Sequence, residues 1–185
     1  HFPIYNLKDC VAGAFGPHDG TMLPMAVLDG YKKKAISFGA KYIQAEAIEI
    51  LKQGDQVFGV KLGSGEILES HIVMNAAGAW AAKIAKTVGV DLPIAPTKRQ
   101  VTIVETNYRG EGVLPVLFLP SGLYVIHEGE GLFMIGKSFP DDYVGYDDFR
   151  WEKNVFEDRV WLELVEYIPS FDRLKILRGW AGFWP

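Results

Sequence analysis

Cysteine is nearly absent: Cys10 is the only one in 185 residues. Neither an intrachain disulfide nor a cysteine-rich metal site can form. A single thiol fits a reducing compartment, cytoplasm or organelle matrix, better than secretion. Cys10 reads as a small buried hydrophobe. Excess charge of either sign is also missing. The 19 basic and 23 acidic residues are interleaved and leave a net charge of −4. No basic stripe exists for a nucleic-acid backbone, and Lys32-Lys33-Lys34 reads as a solvated helix face. No apolar run reaches the ~18 residues of a membrane span. His18, His71 and His127 have no metal-ligand spacing. Repeats and low-complexity linkers are absent too. The chain opens His1-Phe2-Pro3 and stops at Pro185 without an ending signal. Both ends read as cuts within a longer protein, where a missing signal peptide means little.

What is present is apolar residue in quantity, 49% of the chain, enough to bury a real core. Gly16-Pro17-His18-Asp19-Gly20 separates the opening segment from the first helical pattern. Pro24 suits a first helical turn. Met25, Leu28, Ala35 and Ile36 can share one helical face, and Phe38-Gly39 marks a stop. The period then changes to two. Tyr42-Ile43 leads into Ala47–Leu51, Gly54-Asp55 turns the chain, Val57–Val60 returns, and Glu66–Leu68 comes after another turn at Gly63-Ser64-Gly65. This is a three-stranded antiparallel meander. Ile72-Val73-Met74 is a continuous apolar run, which suits a strand buried on both faces. It leads through Ala76-Ala77-Gly78 into a helix running to about Val88. Beyond Pro93 and Pro96, Val101–Val104, Leu123–Ile126 and Leu132–Ile135 read as strands. Trp151–Tyr167 has helical apolar spacing, ended by Pro169. Leu174–Leu177 is a last strand, running into Gly179-Trp180-Ala181-Gly182.

The stretch from Ile72 to Trp80 carries the chemical signal. Small residues at the start of a helix let a ligand approach the backbone, and helix N–H groups suit a pyrophosphate. Tight helix–strand packing is the simpler reading of those residues alone. Elsewhere, Arg99 and Arg178 suit a bidentate carboxylate clamp, or plain surface cations. Tyr124 and His127 lie at odd spacing on one strand, so they face opposite ways; Tyr124 is the better site candidate. Phe149, Trp151, Phe156 and Trp161 have the spacing of core aromatics. Asp141-Asp142 and Asp147-Asp148 read as loop solvation or an acidic docking patch.

The order of elements resembles the D-amino-acid oxidase superfamily of FAD enzymes, which includes sarcosine and glycine oxidases. The residues carrying the likeness are Gly39-Ala40, Glu46-Ala47-Ile48, Gly65-Glu66-Ile67, Ile72 through Trp80, Gly122-Leu123-Tyr124, Ile135-Gly136 and Trp180-Ala181-Gly182. Phe2-Pro3, Asp147-Asp148-Phe149, Phe156-Glu157-Asp158, Val160-Trp161 and Pro169-Ser170-Phe171 look like one branch of it. That branch contains the mitochondrial FAD oxidoreductase linked to respiratory complex I assembly.

The resemblance implies an α+β fold with an α/β FAD-binding portion. Residues 21–95 would form a partial FAD-binding domain. Residues 1–20 and 96–178 would form a mixed β-sheet substrate-binding domain roofing the isoalloxazine ring, and 179–185 would return towards the FAD-binding domain. It implies FAD as cofactor, with Ala47 at the adenine end, Ala76, Ala77, Gly78 and Trp80 along the cofactor path, and Gly182 near the flavin. It implies oxidation of a C–N bond of an amino acid or N-substituted glycine by hydride transfer to flavin. Arg99, Tyr124 and Arg178 are the substrate-binding candidates; no side chain stands out as a general base.

Departures from the family pattern shape the expectation further. Leu23 precedes Pro24 where relatives often have Asp. Trp184 stands at the usual position of a carboxylate-binding Arg, and Met134 at that of a flavin-proximal Lys. The lost cation makes a dehydrogenase, with a separate electron-acceptor protein, the expected type rather than an oxidase. The same two substitutions leave room for a flavin-stabilised assembly factor with vestigial catalysis. The family's Gly-rich fingerprint is not in this sequence, so this segment alone is expected to hold little or no FAD and to be inactive.

Overall fold

A computed structural model describes residues 10–110, 112 and 114–185. The chain divides into two compact units. Among the described residues, one ends at Val73 and the other runs from Met74 to Pro185. The expected boundary at 95/96 therefore lies inside the second unit. Among residues 10–20 there is no strand, so the described part of the opening segment does not join the substrate-domain sheet. The rest of that expected segment, 1–9, lies outside the described residues. Cys10 is half-buried.

In the first unit, helix α1 spans Pro24–Ser37, with Pro24 in its first turn. It stops where expected: the Phe38 and Gly39 N–H groups bond Ala35 and Ile36 carbonyls at 3.0 and 2.9 Å. Its apolar face, Met25, Leu28 and Ile36, is exposed. The meander forms as β1 (Ala47–Gln53), β2 (Gln56–Leu62) and β3 (Ile67–Glu69), antiparallel throughout. Tyr42-Ile43 is not a strand. Nor is Ile72-Val73-Met74: it pairs with no strand among the described residues, and Ile72 and Met74 are exposed. The buried strand is thus corrected. An apolar run becomes such a strand only with neighbours on both edges and cover on both faces. Here Ser70 Oγ instead accepts the Ile72 N–H and donates to the Ile72 carbonyl.

In the second unit a 3-10 turn (Gly78–Trp80) leads into α2 (Ala81–Lys86). The chain then builds one five-stranded antiparallel sheet: β4 (Thr97–Glu105), β5 (Leu117–Phe118), β6 (Tyr124–Gly129), β7 (Leu132–Gly136) and β8 (Lys175–Trp184), in the order β5-β6-β7-β4-β8. The last strand outruns its expected end at Leu177, and the expected division at 178/179 falls within it. Between β7 and β8, α3 (Lys153–Val155) passes through a π-helical turn (Phe156–Val160) into α4 (Trp161–Tyr167). The helix starts two residues later than its apolar spacing suggests.

Period two governs the sheet. On β4 the even positions Lys98, Thr102 and Val104 are buried, and the odd ones are half-buried. Val104, Val125, Phe133 and Ile135 pack with Phe156, Val160, Leu164, Ile168 and Phe171 as one core. Trp161 packs at its margin and donates its indole N–H to the Phe171 carbonyl at 3.0 Å. The helical aromatics at 156 and 161 are core, as expected. Trp151 fastens the start of the helical segment to the sheet: its indole N–H reaches Thr102 Oγ1 at 3.3 Å, and its ring lies where a Cβ on Gly179 would sit.

Two measurements test this packing. Gly179→Ala should drive Trp151 off the sheet and cost about 1–3 kcal/mol, the scale of overpacking, read as a lower urea midpoint. The second concerns His127, which is buried and stacked on Phe133 with centroids 4.6 Å apart. Its Nδ1 accepts the Leu114 N–H at 3.0 Å, and among the described residues its Nε2 has no partner. Burial holds its pKa below the ordinary 6.5. The folded state therefore binds fewer protons than the unfolded state between the two pKa values. Its stability is full above about pH 6.5 and falls as pH drops below that. In His127→Gln, the decline in unfolding midpoint between pH 7 and pH 5 should flatten.

Candidate functional site

The sheet has a second face, turned away from that core. Cross-strand partners define it in rows. Tyr124 stands opposite Gly136, Gly136 opposite Val101, and Val101 opposite Trp180. The next row is Ile126, Met134, Ile103 and Arg178. Arg99 pairs with Gly182 one row further along. Directly opposed residues share a face, so Arg99, Tyr124, Arg178 and Gly182 all belong to this open side. The first three are the expected substrate-binding residues. His127 lies on the other side, in the core.

The two arginines differ in what surrounds them. Arg99 is ion-paired with the Asp142 carboxylate, which also accepts the Phe139 N–H at 2.9 Å. Arg178 is exposed, its guanidinium 5.8 Å from the Trp180 ring centre, and among the described residues no carboxylate pairs with it. Tyr124 is half-buried and lies across Gly136, its phenol occupying the space a Cβ there would need. Burial raises its pKa above 10. Phe118 flanks it with centroids 5.9 Å apart.

Beneath Arg99, Lys98 points into the opposite face. It is 3% exposed and bonds Asp148 Oδ2 and Glu152 Oε2, each at 3.0 Å. The Glu152 N–H bonds the Gln100 side chain at 2.7 Å. Hydrogen bonds from Arg150, then from Lys98, hold the Asp148 carboxyl far below the usual range. The reading of Asp142 and Asp148 as loop solvation is thus corrected: both are half-buried and ion-paired. Sequence reasoning missed Lys98, although its phase with Thr102 and Val104 on one strand signals it. Nothing in sequence spacing links Arg99 to a carboxylate 43 residues away.

The expected cofactor residues fall in both units. Ala47 opens β1 in the first unit, exposed. Ala76, Ala77, Gly78 and Trp80 lie in the second. Trp80 packs in an aromatic cluster with Tyr146, Phe149 and Phe183, at 6.2, 6.5 and 6.2 Å between centroids. Phe183 is the cross-strand partner of Lys98, so this cluster sits on the face opposite Gly182. Helix α2 has six residues, and the Ala77 N–H is already taken by Asn75 Oδ1 at 3.2 Å. So short a helix, with a donor engaged, offers a pyrophosphate less than expected. The open sheet face is better suited to a ligand. Gly182 has nothing within 4 Å of where a Cβ would be, and apolar Val101, Ile103 and Met134 lie between the polar ends. That surface fits a flat aromatic ring system. Among the described residues no acidic or histidine cluster could hold a metal, and no helix is long and apolar enough to cross a membrane.

The FAD dependent oxidoreductase family (DAO) matches residues 1–185. The chain belongs to this family. FAD is the family's cofactor, and the α+β architecture agrees with it. FAD-dependent oxidoreductase domain-containing protein 1 of Xenopus laevis is 27% identical over 99% of this chain and 43% of that protein. Glycine oxidase of Pseudomonas aeruginosa is 28% identical over 77% of this chain and 37% of its own length. The crystal structure of L-proline dehydrogenase from P. horikoshii superposes with a TM-score of 0.82 at 27% identity. It covers 98% of this chain and 48% of that one. The chain thus spans less than half the length of the relatives it matches.

Proposed function

We propose that this oxidoreductase takes a hydride from the carbon beside the nitrogen of an amino acid or N-substituted glycine, acting as a dehydrogenase. The observation that carries this reading is the open sheet face: an apolar middle with Arg178 at one side, lacking a carboxylate partner among the described residues. A buried substrate carboxylate is costly unless paired, and an arginine already neutralised by Asp142 is a poorer partner than Arg178. Relatives named glycine oxidase and L-proline dehydrogenase support an amino-acid substrate.

In this reading Arg178 binds the carboxylate, Tyr124 adds a hydrogen bond, and Val101, Ile103 and Met134 exclude water. Arg99, held by Asp142, lines the site as a neutralised group. Gly182 leaves room for the ring system. FAD, when bound, would supply the hydride acceptor, leaving the substrate as a cationic iminium (C=N+). Met134, at the centre of the face, places no charge to favour the superoxide-like state of oxygen. This supports transfer to an electron-acceptor protein.

Two measurements on the full-length FAD-loaded protein test the proposal. Anaerobic addition of amino acids and N-methylglycines should bleach the flavin band, with slow reoxidation by air. If none of them bleaches it, the assembly-factor reading, which Met134 and Trp184 also suit, takes its place. With a substrate in hand, Arg178→Ala should lower kcat/KM by about 2–4 kcal/mol of transition-state binding, and Arg99→Ala by less. Equal losses, or wild-type kinetics for both, would place the clamp elsewhere.

A further inference from the structure

We propose that Gly136 is a positioning residue for Tyr124, and that its missing side chain sets where the phenol hydroxyl meets substrate. The inference rests on the open face being the substrate site. Tyr124 stands on β6, next to the short edge strand β5, while Arg178 stands on β8 at the far edge. Strands are spaced about 4.8 Å apart. A Tyr124 side chain directed straight off β6 would be separated from Arg178 by three strand spacings. Instead the ring lies over β7, with the hydroxyl and its ring carbon closest to the point where a Gly136 Cβ would be. That moves the hydroxyl one strand nearer and leaves two spacings across the sheet, about 10 Å, plus the offset of one row along the strands, for the substrate and the arginine side chain. Gly136 is buried although it faces the open side, because this ring covers it. Any larger residue at 136 has to lift the phenol off the sheet. Tyr124 itself is half-buried with a raised pKa, as expected for a phenol held against the sheet.

The test compares wild type, Gly136→Ala, Tyr124→Phe and Gly136→Ala/Tyr124→Phe in the full-length FAD-loaded protein. Proteins are labelled with 3-fluorotyrosine, and the Tyr124 resonance is assigned by its loss in Tyr124→Phe. Gly136→Ala should move that resonance towards the solvent-exposed position. With an amino-acid substrate it should raise KM about tenfold, the scale of one lost hydrogen bond, with little change in kcat. Tyr124→Phe should match it, and the double variant should be no worse than either. An unmoved resonance, or a Gly136→Ala effect that persists undiminished in the Tyr124→Phe background, overturns the proposal. If no amine substrate reduces the flavin, the functional reading fails and the resonance alone decides the role of Gly136. Should Gly136→Ala not fold, Gly136→Ala/Tyr124→Ser must, since the three atoms nearest that Cβ are then gone. Failure of that double variant to fold also overturns the proposal.

Discussion

Leu177 is one residue more than the ladder between β4 and β8 requires. Ile176 stands opposite Val104 and Arg178 opposite Ile103, with Leu177 bulged between them. Without that bulge, Ile176 and Arg178 would point to the same side, and a strand that buries one buries the other. The bulge lets Ile176 pack at the margin of the core while Arg178 faces the other way. A charge that would have been forced into an apolar layer is delivered to the open face. The tether from Trp151 to Thr102 and the ion pairs of Lys98 fix the core side of the same strands, so the two faces are held distinct.

That division explains what could be read in advance. Strands β4, β6 and β7 were legible because alternate residues must choose a side. The opposite orientation of Tyr124 and His127 comes from the same parity. Helix α1 and the meander were legible from Pro24 and the turns at Gly54 and Gly63–Gly65. Ile72–Met74 misled, since an apolar run states only that cover is available somewhere, not that neighbouring strands are present among these residues.

The candidate site was legible as a list of residues rather than as an arrangement. Arginines and a tyrosine could be named as carboxylate partners, but which arginine is neutralised depends on Asp142, from a distant loop. The place of Gly136 under Tyr124 depends on register across two strands, which no local pattern encodes. The bulge at Leu177 is equally silent, because Leu174, Ile176 and Arg178 share one parity in the sequence.

Strand β8 is ten residues long and lies at the edge of its sheet, with β4 as its one strand neighbour among the described residues. Long edges invite pairing with other chains, and proteins guard them with charge. Trp180 and Trp184 are exposed along this strand, and Arg178 is the one charged side chain between Lys175 and Trp184. The side chain proposed to hold a substrate is thus also the charge carried by this edge, so Arg178→Ala would remove both at once.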